Sequence, residues 1–498
     1  MPSVVRNITK ETDYNTIQSA IDDADSNNVI VASEGCYFEK PDFGIKSITL
    51  RSVAPDDWSV VNNTRIYGLG QYGGSVINLA NNNNNCVISG LTIIYGDYGI
   101  YCDNSNPTIN CCQIKNNTTN GIYCKSSNPT ITHCTFTNNE YGIYCEDSNL
   151  TINRCRIEDN WSSGIYADYA DIVVDRCDIA NNSKFDNYDG IDVSGGSAVI
   201  KNNIIHHNAG YSGIYLNYVQ SAEIRNNTIA DNSRGICGDC DPNIKNNIIW
   251  GNDVDSLDGT FTKVNYNCIE GNYPGINNIN LNPQFRDVND GVDDYHLAYD
   301  SNCIDKGDPY FSDANEKDID GENRIMDGNN DGNSRVDIGA DEFCPYDLSQ
   351  DGFVDFSDFA VFARSWKTLD GNANYNDRCD FYNDGKIDYK DLYIFCNHWL
   401  WPFDGNNISG SEEMMMSMES EQEFSSESMA FEIEQEFMEE PQEDDWSSML
   451  AGEGETASIY LICDVNEPNS GDEVTVQIYS DVPLCCMGAA ISVAGDAN

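Results

Sequence analysis

"NGIYCKSSNPTITHCTFTNN", residues 120–139, is one phrase of a repeat, and the repeat decides the fold. Gly99, Gly121, Gly142, Gly164, Gly190, Gly213 and Gly235 each open a Gly-Ile-x-x tetrad, at spacings of 22, 21, 22, 26, 23 and 22 residues. A second half-phrase follows each tetrad, as in "PTITHCTFTNN" (129–139), "LTINRCRIEDN" (150–160) and "AEIRNNTIADN" (222–232). Short strands between Asn and Gly turns bury no face alone, so units repeated at this period must stack.

Successive strand residues face opposite ways, which sorts the positions of each phrase. In the tetrad the second residue is always Ile, and the fourth is Cys102, Cys124, Cys145, Ala167, Val193, Leu216 or Gly238; both are assigned to the interior. The third is Tyr101, Tyr123, Tyr144, Tyr166, Asp192, Tyr215 or Cys237. It is assigned to the outside, because an unpaired Asp is costly in a dry core. Cys112, Cys134, Cys155 and Cys177, continued by Asn203, Asn227 and Asn247, form a second inward column.

The chain has 20 cysteines, which raises the question of disulfides. Stacked parallel strands lie about 4.8 Å apart with parallel side-chain vectors, whereas a disulfide needs Cβ atoms about 3.8 Å apart on converging vectors. The cysteine columns therefore read as buried thiols acting as small hydrophobes. Cys237 and Cys240 have C-x-x-C spacing, but without a second pair or a nearby His they read as structural or disulfide-forming.

The 82 acidic residues against 27 basic ones argue against nucleic acid and anionic membrane as partners, since both are held by clustered Lys and Arg. Calcium, cationic groups and neutral sugars suit this balance better. No apolar run reaches the length of a membrane span. The opening "MPSVVRNITKETDY" lacks the apolar stretch of a secretory signal peptide, which taken literally means the cytoplasm unless the start is shortened.

The rungs over about residues 14–343 resemble the right-handed parallel β-helix family, the pectin-lyase-like fold. "YNTIQSAIDDADSNNVIVASEGCYFE" (14–39) is similar to that family's opening, with a short capping helix around Ile17 to Ala24. "NPQFRDVNDGVDDYHLAYDSNCIDKGDP" (282–309) and "RVDIGADEF" (335–343) resemble closing segments of bacterial surface β-helices. The resemblance implies a mainly β solenoid over residues 1–343. It also implies secretion or cell-surface display, and a polysaccharide as ligand.

After Phe343 the pattern changes. "DLSQDGFVDFSDFAVFARSW" (347–366) and "DFYNDGKIDYKDLYIFCNHW" (380–399) are one unit written twice, 33 residues apart. In the first copy Asp347, Ser349, Asp351, Asp355 and Asp358 stand at positions 1, 3, 5, 9 and 12 of a calcium loop. Gly352 makes its sharp turn and Phe353 offers a carbonyl. Asp380, Tyr382, Asp384, Lys386, Asp388 and Asp391 are the corresponding positions of the second copy, where Tyr382 weakens the site. Each loop leads into a helical stripe: Phe359, Phe362, Ala363, Trp366 and Leu392, Phe395, Cys396, Trp399.

The pair resembles a type I dockerin over residues 344–403. The resemblance implies two bound Ca2+ ions and a cohesin partner contacted through Phe356, Ser357, Tyr389 and Lys390. "DGNNDGN" (327–333) begins like a calcium loop but has Ile338 at position 12, and reads as an incomplete site or plain surface loop. Residues 404–456, acidic and rich in Met and Ser, read as a disordered linker. Residues 457–498 alternate like β-sandwich strands and resemble part of a cohesin-like or Ig-like module, too short to close one.

Two function classes follow. One is a polysaccharide hydrolase or lyase delivered by its dockerin; the other is a non-catalytic surface adhesin or structural spacer coupled the same way. The candidate substrate lane is the outward stripe Tyr101, Tyr123, Tyr144 and Tyr166. Asp192 interrupts it in the one rung lengthened to 26 residues, whose extra loop brings Lys184, Asp186 and Asp189. Asp168 faces outward one rung earlier, at a Cα separation of roughly 8 Å, compatible with the carboxylate pair of an inverting glycosidase. A lyase would instead use calcium on these carboxylates with Lys184 or Arg176 as base.

Overall fold

The computed structural model describes residues 4–68, 74–80, 84–184, 187–286, 294–350, 352–396, 398, 459–463 and 476–480. Asp351, the 404–456 segment and most of 457–498 lie outside these residues. The chain divides into two units, Met1–Phe343 and Cys344–Asn498.

In the first unit each phrase supplies three short strands, and like strands of successive phrases pair in parallel. This builds sheets of thirteen, nine and eleven strands around one core. The phrase at 120–139 gives Asn120–Lys125 to the nine-stranded sheet, Thr130–Thr132 to the thirteen-stranded sheet and Thr135–Thr137 to the eleven-stranded sheet. Its three corners are turned by Ser126, His133 and Asn138, each with φ near the left-handed region at 46°, 51° and 56°. Short polar side chains, Asn above all, tolerate that conformation.

Register follows the repeat: Ile100, Ile122, Ile143, Ile165, Ile191, Ile214 and Ile236 pair rung to rung and are all fully buried. The tetrad glycine is steric in origin. A Cβ on Gly121 would lie 2.4 Å from the carbonyl oxygen of Gly142 in the next rung.

The inward cysteines Cys102, Cys124, Cys145, Cys112, Cys134, Cys155 and Cys177 are buried and free. Asn203, Asn227, Asn247 and Asn267 continue the second column as a ladder, each Nδ2 donating to the next Oδ1 at 2.9–3.0 Å. A further ladder runs through Asn117, Asn139, Asn160, Asn182, Asn208 and Asn232, with Nδ2 to Oδ1 distances of 2.9–3.2 Å. These amides can be buried because each is hydrogen-bonded to its neighbours.

At the N-terminal end the helix Ile17–Asp23, capped by the Thr16 side chain, buries Ile17, Ala20 and Ile21 against the core. At the other end the closing segment lies along the outer face of the eleven-stranded sheet. One outward column there reads Gln113, Thr135, Arg156, Asp178 and then Ile204, Thr228, Ile248, Cys268. The change from polar to largely apolar marks where the cover begins. Leu297, Ile304, Ile338 and Phe343 pack on Ile248 and Cys268, and Tyr295 and Ala340 pack on Ile204 and Ala230. Arg324, fully buried, donates to the carbonyls of Asp337, Gly339 and Ala340. Glu316 joins this segment to Arg225, Lys201, Asn202 and Asn226 of the rungs.

In the second unit, helices Phe356–Arg364 and Tyr389–Cys396 follow the two aspartate loops. Phe362 stacks on Phe395 and Phe381, at 5.6 and 6.0 Å between ring centroids. Ile459–Cys463 and Val476–Ser480 form an antiparallel pair.

Candidate functional site

The outer face of the nine-stranded sheet carries the residues singled out above. Tyr101, Tyr123, Tyr144 and Tyr166 pair in register and stand half-buried, with ring centroids 5.5, 5.4 and 4.8 Å apart. The rings lie against one another, the first three stacked and Tyr166 tilted by 36° to Tyr144, so the ladder offers a ligand mainly edges and hydroxyls. The Tyr123 hydroxyl donates to Glu146 Oε2 at 2.8 Å.

Asp192 takes the next place in this lane, paired with Tyr166 below and Tyr215 above. Burial, together with the nearby charges of Asp189 and Asp168, pushes its carboxyl up to about 8. Asp189 is buried at the corner before the tetrad, where Ser212 Oγ donates to it at 2.5 Å; burial raises it to about 7. Asp168 is also raised, by burial and then by Glu146 and Asp147. Three carboxyls on two neighbouring rungs thus all hold their protons more tightly than free carboxyls, Asp189 and Asp192 by large shifts.

The loop of the long rung places Lys184 elsewhere: its Nζ lies 3.6 Å from Asp159 and 5.2 Å from the Trp161 ring centroid. Arg176 sits at the corner that follows a strand of the thirteen-stranded sheet, beside Asp175. The cation that the repeat did not single out is Arg234, whose guanidinium lies 4.6 Å from the Tyr211 ring centroid and 3.3 Å from Asp258. Cys237, expected outside, is only 1% exposed. Its small side chain is overtopped by Tyr215 and Asp258 in the flanking rungs and screened by Arg234.

The carboxyls raised by burial have a stability consequence. An acid whose folded pKa exceeds its unfolded value stabilises fully below pH 4 and loses that contribution as pH rises through the folded pKa. For Asp189 and Asp192 the loss extends to pH 7–8. Asp192→Asn is therefore expected to be more stable than the parent by about 2 kcal/mol at pH 9, with allowance for solvent access, and near parity at pH 4. Denaturant unfolding at both pH values checks this; parallel pH profiles would refute the burial of that charge.

The aspartate loops of the second unit share one internal pattern. Asp358 accepts from the amides of Ser349 and Asp355 at 2.7 and 2.6 Å, and Asp391 from those of Tyr382 and Asp388 at 2.8 Å each. Asp347 and Asp380 accept from the turn amides of Gly352 and Gly385 at 2.8 Å. Asp384 is held by Lys390, and Tyr382 is exposed with Lys390 Nζ 4.1 Å from its ring centroid. Phe356 and Ser357 are exposed; Tyr389 and Lys390 are half-buried.

The loop at 327–333 follows the same pattern with one exchange. Ile338 turns into the core, and Asp305, 22 residues before the loop, accepts instead from the amides of Asn329 and Arg335 at 3.0 and 3.2 Å. Asp318, Glu322 and Asp341 bring carboxylate oxygens within 4.8 Å of one another, with Asp318 and Asp341 accepting backbone amides of Gly321, Glu322, Glu342 and Leu297.

The model of the family described as "Right handed beta helix region" matches residues 9–149, 75–185 and 141–288. No curated protein matches the chain. Among solved structures, the chain is similar to the pectate lyase Pel9A, with 14% identity over 66% of this chain and 91% of that one, at a TM-score of 0.47. An alginate lyase from Paenibacillus sp. str. FPU-7 is 18% identical over 49% of this chain and 94% of that one, at a TM-score of 0.39. A pectin methylesterase from Aspergillus niger is 15% identical over 50% and 83%, at a TM-score of 0.31.

Proposed function

The chain belongs to the right-handed β-helix family, and from that premise we propose that it binds a polysaccharide along the outer face of the nine-stranded sheet and cleaves it there. The observation that carries this reading is Asp192, a carboxyl held up to about 8 within a lane of tyrosines and next to the lower-affinity Asp168. In this scheme Asp192 keeps its proton at neutral pH and delivers it to the departing glycosidic oxygen. Asp168, ionised, takes a proton from the attacking water, and burial, with Asp189 nearby, keeps Asp192 protonated.

Hydrolysis is preferred to elimination because, of the two bases an elimination could use, Lys184 is engaged by Asp159 and Trp161 and Arg176 lies beside Asp175 at a corner of the thirteen-stranded sheet. Tyr101, Tyr123, Tyr144 and Tyr166 would guide the chain by hydroxyls and ring edges. Release of reducing ends from a panel of neutral, amino and uronate polysaccharides tests the reading. If no polysaccharide is cleaved but one is retained, the non-catalytic adhesin takes its place.

We further propose that residues 344–403 are a dockerin that couples the β-helix to a cohesin. In the first loop Asp347, Ser349, Asp351, Asp355 and Asp358 with the Phe353 carbonyl would hold Ca2+. In the second, Asp380, Asp384, Asp388 and Asp391 with the Lys386 backbone would do so, and Tyr382 contributes no side-chain oxygen. The residues fit a cation: Asp358 and Asp391 are buried with their carboxyls raised to about 6 by that burial, a cost that a bound ion removes. Phe356, Ser357, Tyr389 and Lys390 would meet the partner. Chelation is expected to reduce the helical circular dichroism of this module and to abolish cohesin binding, with Asp347→Ala acting alike. A spectrum and cohesin affinity indifferent to chelator would refute the assignment.

A further inference from the structure

A second pair of aromatic side chains lies beside the proposed site. Tyr169 and Tyr218 stand at the corner that ends the nine-stranded sheet and are 72% and 78% exposed, among the most exposed large apolar side chains of the solenoid. They are two rungs apart, with Gly195 between them in register: Tyr169 N donates to Ser194 O at 2.7 Å and Gly195 N to Asn217 O at 2.8 Å. Gly195 has φ of 77°, and a Cβ there would lie 2.9 Å from the Tyr169 ring. The Tyr169 ring therefore lies over the bare backbone of the intervening rung. At about 4.8 Å per rung the two corners are separated by about the length of a disaccharide.

Between this pair and the lane of Tyr166, Asp192 and Tyr215 runs a polar lane of Asp168, Ser194 and Asn217, in register. Among the described residues no hydrogen bond or ion pair is made to the side chain of Asp168 or Asp192. The described cations that accompany this face are engaged: Lys125 with Glu146 at 3.2 Å and Arg234 with Asp258 at 3.3 Å. Glu146 pairs in register with Asp168 one rung below it. A polyanionic chain laid here would meet the like charge of Glu146 and Asp168, whereas an ammonium group would supply the counter-charge Asp168 lacks.

We propose that Tyr169 and Tyr218 form a sugar-stacking subsite and that Asp168 selects a glycan bearing free 2-amino groups. The proposal rests on the reading of this face as a polysaccharide site and names its substrate class. Ring faces would stack on Tyr169 and Tyr218, and the ammonium would be received by Asp168, a pairing that favours its ionised form and leaves Asp192 its proton.

The test is isothermal titration of the full chain with three oligosaccharides of equal length: β-1,4-glucosamine, β-1,4-N-acetylglucosamine and α-1,4-galacturonate, the last with and without Ca2+. Glucosamine oligomers are expected to bind at least about tenfold more tightly than either other ligand, with an affinity that falls as salt is added. Tyr169→Asn and Tyr218→Asn, chosen because Asn tolerates the φ of 48° and 51° at these corners, should each weaken binding about tenfold, as should Asp168→Asn.

Equal binding of the N-acetylated oligomer, or preferential binding of the galacturonate in either condition, would overturn the amino-sugar assignment. If those ligands bound and the tyrosine changes abolished it, the polysaccharide reading would stand without the amine. Binding untouched by both tyrosine changes would remove the subsite, and failure of all three ligands to bind would remove both readings together.

Discussion

Asp192→Asn is expected to lower polysaccharide cleavage by about 100-fold or more while leaving the folded structure intact, the usual scale for loss of a general acid. The change is nearly isosteric and deletes only the proton that the scheme delivers to the leaving oxygen. Asp168→Asn should cost a similar factor through loss of the base. The two differ in their pH profiles: removing Asp192 erases the fall in rate at alkaline pH, where its carboxyl, held up to about 8, would ionise. Reducing-end assays from pH 4 to 9, with unfolding curves for each variant, provide the measurement. Activity that survives Asp192→Asn would move the site elsewhere on the solenoid.

The second large effect is on the fold. Ile143 is fully buried between Ile122 and Ile165, and its neighbour Tyr144 faces outward in the tyrosine ladder. Ile143→Asp puts a carboxyl into a column of isoleucines with no partner, at an expected cost of several kcal/mol. Neighbouring rungs would lose their support with it, since each contacts chiefly the next. Tyr144→Ser removes one member of a stacked ladder and should cost about 1 kcal/mol. Denaturant unfolding of the two variants checks the contrast; equal damage would contradict the inward and outward assignment.

That assignment was legible because it is local. The Gly-Ile-x-x tetrads and the Cys and Asn columns repeat at the rung period, and in a parallel solenoid the residue one period away is the physical neighbour. Stacking of Ile100 on Ile122, and of Cys177 on Asn203, follows from counting. Even the lengthened rung was visible, as a spacing of 26, and with it the neighbourhood of Asp192. The helix Ile17–Asp23 and the two loop-plus-helix units were legible for the same reason, since their caps and stripes span a few residues.

Period counting fails where side chains are placed by corners or by segments outside the repeat. Lys184 belongs to an irregular loop, and its contact with Asp159 and Trp161 depends on a path that no periodicity specifies. Cys237 occupies an outward position by alternation, yet longer side chains on adjoining rungs cover it. Tyr169 and Tyr218 lie outside the alternating strands, in left-handed corners where period two no longer applies, so their exposure had no sequence signal.

By itself, then, the sequence determined the rung, most of the residues that face the core and the tyrosine lane that faces out, because each follows from strand alternation and a period near 22. Only the tertiary structure decided what lies on the outside of the solenoid. It laid the closing segment over Ile204 and Ile248, and brought Asp305 to the loop at 327–333 in place of Ile338. Those contacts join groups with no fixed spacing along the chain, so they are set by packing and hydrogen-bond satisfaction across the finished surface and not by any local pattern.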